Sequence, residues 1–168
     1  MKRKILLSIA ISLMLTGCQV KPGITPTYEA LSSSQQTLAN RIHRYGAFTH
    51  QQGTRLWVVI PTDTFFSPGS TELVYDRIAP IADIANLVQS YQKSHPGSRI
   101  RVMGFNNPKL TAPSARNSSI KYAKVITQYL KSFGVTKSIK TTLGKNKTSP
   151  TSLTGDSFSR RVIISVNV

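Results

Sequence analysis

Only one cysteine, Cys18, occurs among the 168 residues, which excludes an internal disulfide and any zinc site built on paired thiolates. Acidic residues are almost as scarce: six Asp and Glu stand against 22 Lys and Arg, for a formal charge of +16. Of those six (Glu29, Asp63, Glu72, Asp76, Asp83 and Asp156), Glu72 and Asp76 form an i, i+4 pair. At a helix start, such a pair suits the helix dipole better than acid–base chemistry. The histidines, His43, His50 and His95, fall in separate predicted elements without metal-ligand spacing, and no serine sits in a nucleophile elbow. The expectation is a protein that is not an enzyme and needs neither metal nor cofactor. No basic stripe interleaved with aromatics, of the kind used on single-stranded nucleic acid, is present. No apolar run reaches the roughly 20 residues that span a bilayer.

What the chain does have begins at its amino terminus. Lys2, Arg3 and Lys4 precede an apolar run over 5–15, followed by Leu15-Thr16-Gly17-Cys18. A charged head, a short apolar segment and a small-residue cleavage point make a secretory signal over 1–17. With Leu three residues before the cysteine and Gly just before it, the segment resembles the bacterial lipoprotein box. That resemblance implies cleavage before Cys18 and a thioether-linked diacylglycerol on its sulfur, usually with a third acyl chain on the new amino terminus. Two or more chains anchor a protein stably, where one does so only marginally. The alternative is an ordinary secretory signal with an incidental cysteine. Gln19 replaces the Asp that retains many such lipoproteins at the inner membrane. The expected location is therefore the outer membrane, lipid-anchored, with the domain in the periplasm.

Lys2, Arg3 and Lys4 would leave with the signal, so the mature chain from Cys18 to Val168 has 151 residues and a charge of +13. That length suits one domain with a full core plus a tether. The positive excess draws polyanions. An exported chain meets anionic lipid head groups and cell-wall carboxylates rather than nucleic acid, and its bases are scattered singly along the sequence. A generally basic proteome would explain the charge with no function at all.

Positions 18–36, rich in Pro, Thr and Ser, read as a flexible tether. A helix is expected over 37–45, with Leu38, Ile42 and Tyr45 on one face. The run TRLWVVI at 54–60 reads as a buried strand that places Trp57 in the core, and Pro61 ends it. A loop follows, in which one of Phe65 and Phe66 would face out. Apolar residues then recur at three to four residue steps over 72–93, an amphipathic helix that Pro80 bends or whose start it delays. Alternation predicts a strand over 98–104, and periodicity a second helix over 118–133 with Gly134 as its C-terminal cap. A short strand at 139–143, a polar loop at 144–159 and a last strand at 161–168 complete the domain over 37–168. This is an α+β, two-layer sandwich, with two main helices on one face of a mixed four-stranded sheet.

Four segments in register over about 110 residues resemble the OmpA-like peptidoglycan-binding domain. Phe65-Phe66-Ser67-Pro68-Gly69-Ser70-Thr71-Glu72-Leu73 matches its loop into the first helix, and Gly104-Phe105-Asn106-Asn107 its "G-H-T-D" after the second strand. Ala123, Ile126, Tyr129 and Leu130 fall on its "R-A-x-x-V-x-x-Y-L" helix, and Arg160-Arg161-Val162-Ile163-Ile164 on its last strand. In that family an Asp and an Arg grip the diaminopimelate of the wall's stem peptide, pairing carboxylate with ammonium and guanidinium with carboxylate.

The resemblance places Asn107 where that Asp stands, Tyr122 where the Arg stands, and Ala115 at the family's frequent Asn. Both charged anchors are thus replaced. The implied groove, Asn106, Asn107, Arg116, Tyr122 and Arg160, is degenerate, and only Arg116, Lys121 or Arg160 could compensate. The expected partners are the outer membrane through the lipid, other proteins of an envelope complex such as a type IVB secretion system, and peptidoglycan bound weakly; nucleic acid is not expected. A working peptidoglycan-binding module with rearranged contacts is the alternative.

Overall fold

The computed structural model describes residues 30–105, 113–144 and 160–168, with the backbone alone for 113–116. Helix α1 (Ser33–Arg44) opens on a capping box. The Ser32 hydroxyl accepts from the Gln35 amide at 3.4 Å, while the Gln35 side chain accepts from the Ser32 amide at 3.0 Å. Two amides that the first turn leaves without helical partners are thereby satisfied. The helix starts at Ser33 rather than at 37, so the last four positions of the expected tether are helical. Its buried residues Gln35, Ala39 and Ile42 lie three to four apart and pack the helix on α3 (Ile78–Ser94).

A hairpin follows. Strand β1 (Phe48–Gln52) returns as β2 (Arg55–Pro61), with Gln52 opposite Arg55. Gly53 takes φ +56° in the two-residue turn, a conformation open to glycine without steric cost. The chain then makes a one-turn helix α2 (Thr62–Phe65) and a 3-10 turn at Tyr75–Arg77 before α3. Helix α3 begins at Ile78, two residues before Pro80, where the missing amide N–H costs no helical hydrogen bond. Glu72 and Asp76 therefore do not share a helix start as expected. Glu72 lies in the loop, and Asp76 pairs at 3.7 Å with Arg77.

Strand β3 (Arg99–Phe105), helix α4 (Pro113–Ser132), strand β4 (Ile139–Leu143) and strand β5 (Arg161–Asn167) complete the fold. Helix α4 starts five residues ahead of its expected position, with a proline in its first turn, where proline is tolerated. The sheet has five strands in the order β1-β2-β5-β3-β4, all antiparallel except β3 with β4. The α+β class expected from the sequence holds, with the edge strand β1 added to the expected four and the expected first helix present as the longer α1.

The run LWVVI buries both faces of β2. Leu56, Val58 and Ile60 join Val162, Ile164 and Val166 of β5 and the apolar sides of α3 and α4 in the main core. Trp57 and Val59 point the other way and cluster with Met103, Phe105 and Ile163 on the sheet face opposite the helices. Trp57 is buried, as expected, but in this second and smaller cluster.

Candidate functional site

The candidate groove lies where β3 ends and β5 begins, beneath the first turns of α4. Gly104 sets the distance between helix and sheet there. A Cβ at this position would lie 1.9 Å from the Ser119 carbonyl oxygen and 2.5 Å from its carbon. Only glycine lets the α4 backbone come this close. The Gly144 amide donates to the Gly104 carbonyl at 2.8 Å, continuing the β3–β4 ladder. The Phe105 ring fills the space over Gly144, where a Cβ would meet it at 2.4 Å.

Phe105 stands opposite Arg161 in the sheet, and the Arg161 guanidinium lies 4.7 Å from its ring centre. This is a cation held on an aromatic face. Burial lowers the Arg161 pKa from the ordinary arginine value, since charge is disfavoured away from water.

Tyr122, on α4, packs its ring against Phe66 with centroids 4.6 Å apart and planes tilted by 59°, a favoured geometry for aromatic pairs. The tyrosine is half-buried at the rim of the main core. Phe65 and Phe66 are both buried, which corrects the expectation that one faces solvent. Phe65 closes the α2 turn into the core, whereas Phe66 is already extended at φ −117°, ψ 149° and reaches Tyr122. The loop between Phe66 and Leu73 is closed by a bridge between these two residues and by the Ser67 amide donating to the Glu72 carbonyl at 2.9 Å.

Arg160 precedes β5 and is tied back to α2. Its carbonyl accepts from the Thr62 amide at 3.1 Å and from the Thr62 hydroxyl at 3.2 Å. Its guanidinium pairs with the Asp63 carboxylate at 2.9 Å, both side chains being more than half exposed. Asp63 and Phe66 are thus the partners of the two predicted groove residues that are described in full, and neither was among the candidates. The motif's aromatic pair was a usable signal for Phe66; the sequence holds none for Asp63.

Arg116 lies in the first turns of α4, and its side chain is outside what is described. Asn106, Asn107 and the lipidation candidate Cys18 are outside the described residues. Among the described residues, no group of three His, Cys, Asp or Glu could hold a metal ion, and no helix is long and apolar enough to cross a membrane.

No family model and no curated protein matches the chain. Solved structures do. The periplasmic domain of Helicobacter pylori MotB is 21% identical at a TM-score of 0.55, over 73% of this chain and 82% of that one. The cell wall anchor of the T6SS from Pseudomonas aeruginosa is 20% identical at 0.58, over 79% and 95%. An outer membrane protein from Borrelia burgdorferi B31 is 19% identical at 0.50, over 74% and 99%. The fold shared with these proteins is the OmpA-C-like one: helices packed against an open, mixed sheet.

Proposed function

We propose that this chain is an outer-membrane lipoprotein, acylated at Cys18, whose OmpA-like domain is a structural, non-enzymatic component of a periplasmic envelope complex. Among lipoproteins of this shape it is most like the DotK/IcmN component of Dot/Icm type IVB secretion systems. The observation that carries the reading is Tyr122. At the position where the OmpA-like family presents an arginine, this chain has a neutral ring packed 4.6 Å from Phe66. Asn107 likewise replaces an acid. Losing two charge-assisted contacts weakens binding of a zwitterionic amino acid by about 2–4 kcal/mol, roughly 30- to 1000-fold.

The test is retention by purified cell wall. The proposal predicts only salt-sensitive retention, together with co-purification of envelope-complex proteins from gently solubilised outer membranes. Retention at high salt that free stem peptide displaces refutes it. Labelled palmitate should enter the wild-type chain and not Cys18→Ser; equal labelling of both removes the anchor from the account.

One observation favours the second reading, a working peptidoglycan-binding module. The Arg160–Asp63 pair is exposed on both sides, and such pairs contribute only about 0–1 kcal/mol. The Arg160 guanidinium could leave Asp63 at little cost and hold a ligand carboxylate. Arg160→Gln would then lower high-salt retention by cell wall, whereas the first reading predicts no change.

A further inference from the structure

The sheet face opposite the helices carries a group of cations at the end remote from the candidate groove. Strand register aligns Gln52, Arg55, Asn167 and Arg99 in one row across the sheet, and His50, Trp57, Ser165, Arg101 and Lys140 in the next. Alternation places both rows on the face of Trp57, Met103 and Ile163. Strands lie about 4.8 Å apart and same-face neighbours along a strand about 7 Å. Arg99, Arg101 and Lys140 therefore form a tight triangle, with Arg55 about 10 Å from Arg99 across Asn167.

All four cations are exposed. The described acids with ion pairs are engaged elsewhere: Asp63 with Arg160, Asp76 with Arg77 and Asp83 with Arg41. Arg99, Arg101, Lys140 and Asn167 line a hollow of about 480 Å³. On the far side of Asn167, Arg55 and Trp57 line a second, of about 310 Å³, with the Arg55 guanidinium 5.4 Å from the Trp57 ring centre.

We infer that this face docks on the phosphate head groups of an anionic lipid surface. Val168 also lines both hollows, but four like charges on one sheet face with no described side-chain carboxylate among them suit a layer of opposite charge. The arrangement favours a plane over a peptide. An extended acidic segment pairs along a sheet edge through backbone hydrogen bonds, whereas Arg55, Arg99 and Arg101 stand on the face of β2 and β3, which are paired on both sides, and Lys140 alone stands on the edge strand β4. The choice of lipid rests on the membrane-anchored reading above; the surface itself is independent of the cell-wall groove.

The test uses the mature chain, 18–168, carrying Cys18→Ser so that no acyl chain contributes, sedimented with vesicles of phosphatidylcholine alone or with about 30% phosphatidylglycerol. Binding is expected only to the anionic vesicles and is expected to disappear in half-molar salt. Each removed cation should lower the partition coefficient about fivefold. The pairs Arg55→Gln/Arg99→Gln and Arg101→Gln/Lys140→Gln should therefore each lose about 25-fold. Lys121→Gln/Lys124→Gln, on the exposed side of α4, should lose less than threefold. Equal losses in all three variants, equal binding to both vesicle types, or preferential capture by duplex DNA or cell wall would overturn the inference. Failure of palmitate labelling would remove the anchor without touching this result.

Discussion

Replacing Gly104 with alanine should separate α4 from the sheet. The added Cβ would begin 1.9 Å from the Ser119 carbonyl oxygen and 2.5 Å from its carbon. Cβ contacts closer than 3.0 Å essentially do not occur, so the two backbones must part by more than 1 Å. No rotamer change relieves this, because the obstructing atoms are main chain. Overpacking costs about 1–3 kcal/mol, and a clash between backbones belongs at the upper end, near 3 kcal/mol. At roughly 3 °C per kcal/mol for a chain of this size, the melting temperature should fall by about 9 °C.

Urea unfolding followed by circular dichroism measures it, with the slope checked to be unchanged so that the midpoint reports stability alone. Gly97→Ala is the matched control. Nothing lies within 4 Å of its added Cβ and its φ is not positive, so it should stay within about 0.5 kcal/mol of wild type or gain slightly. If Gly104→Ala loses less than about 0.5 kcal/mol, the claim that glycine sets the helix–sheet distance is wrong.

Two further substitutions probe the ends of the domain. Ser32→Ala removes the α1 cap and should cost about 1 kcal/mol in the same unfolding assay; an unchanged midpoint would mean that α1 is held by its packing on α3 alone. Arg160→Gln breaks an exposed ion pair with Asp63 and should change stability by less than about 1 kcal/mol. A larger loss would show that the pair, and not the Thr62 hydrogen bonds to the Arg160 carbonyl, holds the start of β5.

Apolar patterning was legible from the sequence: helical periodicity marked α3 and α4, alternation marked β3, continuous apolar runs marked β2 and β5, and the α+β class follows from their order. Strand β1 was not, because FTHQQ has one apolar residue and no alternation, being an edge strand with both ends exposed. Its one signal was Gly53-Thr54, a two-residue turn ahead of an apolar run. The α1 start was readable in principle, since Ser32-Ser33-Ser34-Gln35 spells a capping box; a run of serines beside a Pro-rich stretch reads equally well as linker. The division of β2 between two clusters could not be read at all, because LWVVI is apolar at every position and carries no face. At the site, the sequence alone offered Asn107 and Tyr122 where the resemblance implies charges, and of these two only Tyr122 is among the described residues. The partners that occupy Tyr122 and Arg160 were not legible, because Phe66 and Asp63 are distant in sequence and arrive only through folding.

On the proposed reading, the OmpA-C-like fold stands here without the two charges that the resemblance implies for clasping a zwitterionic ligand. Calorimetric titration with a diaminopimelate-containing stem peptide in half-molar salt decides this, comparing wild type with the double variant Asn107→Asp/Tyr122→Arg, its folding checked by circular dichroism. Wild type should bind the peptide about 30- to 1000-fold more weakly than the double variant. Wild-type binding as tight as that of the double variant would contradict it.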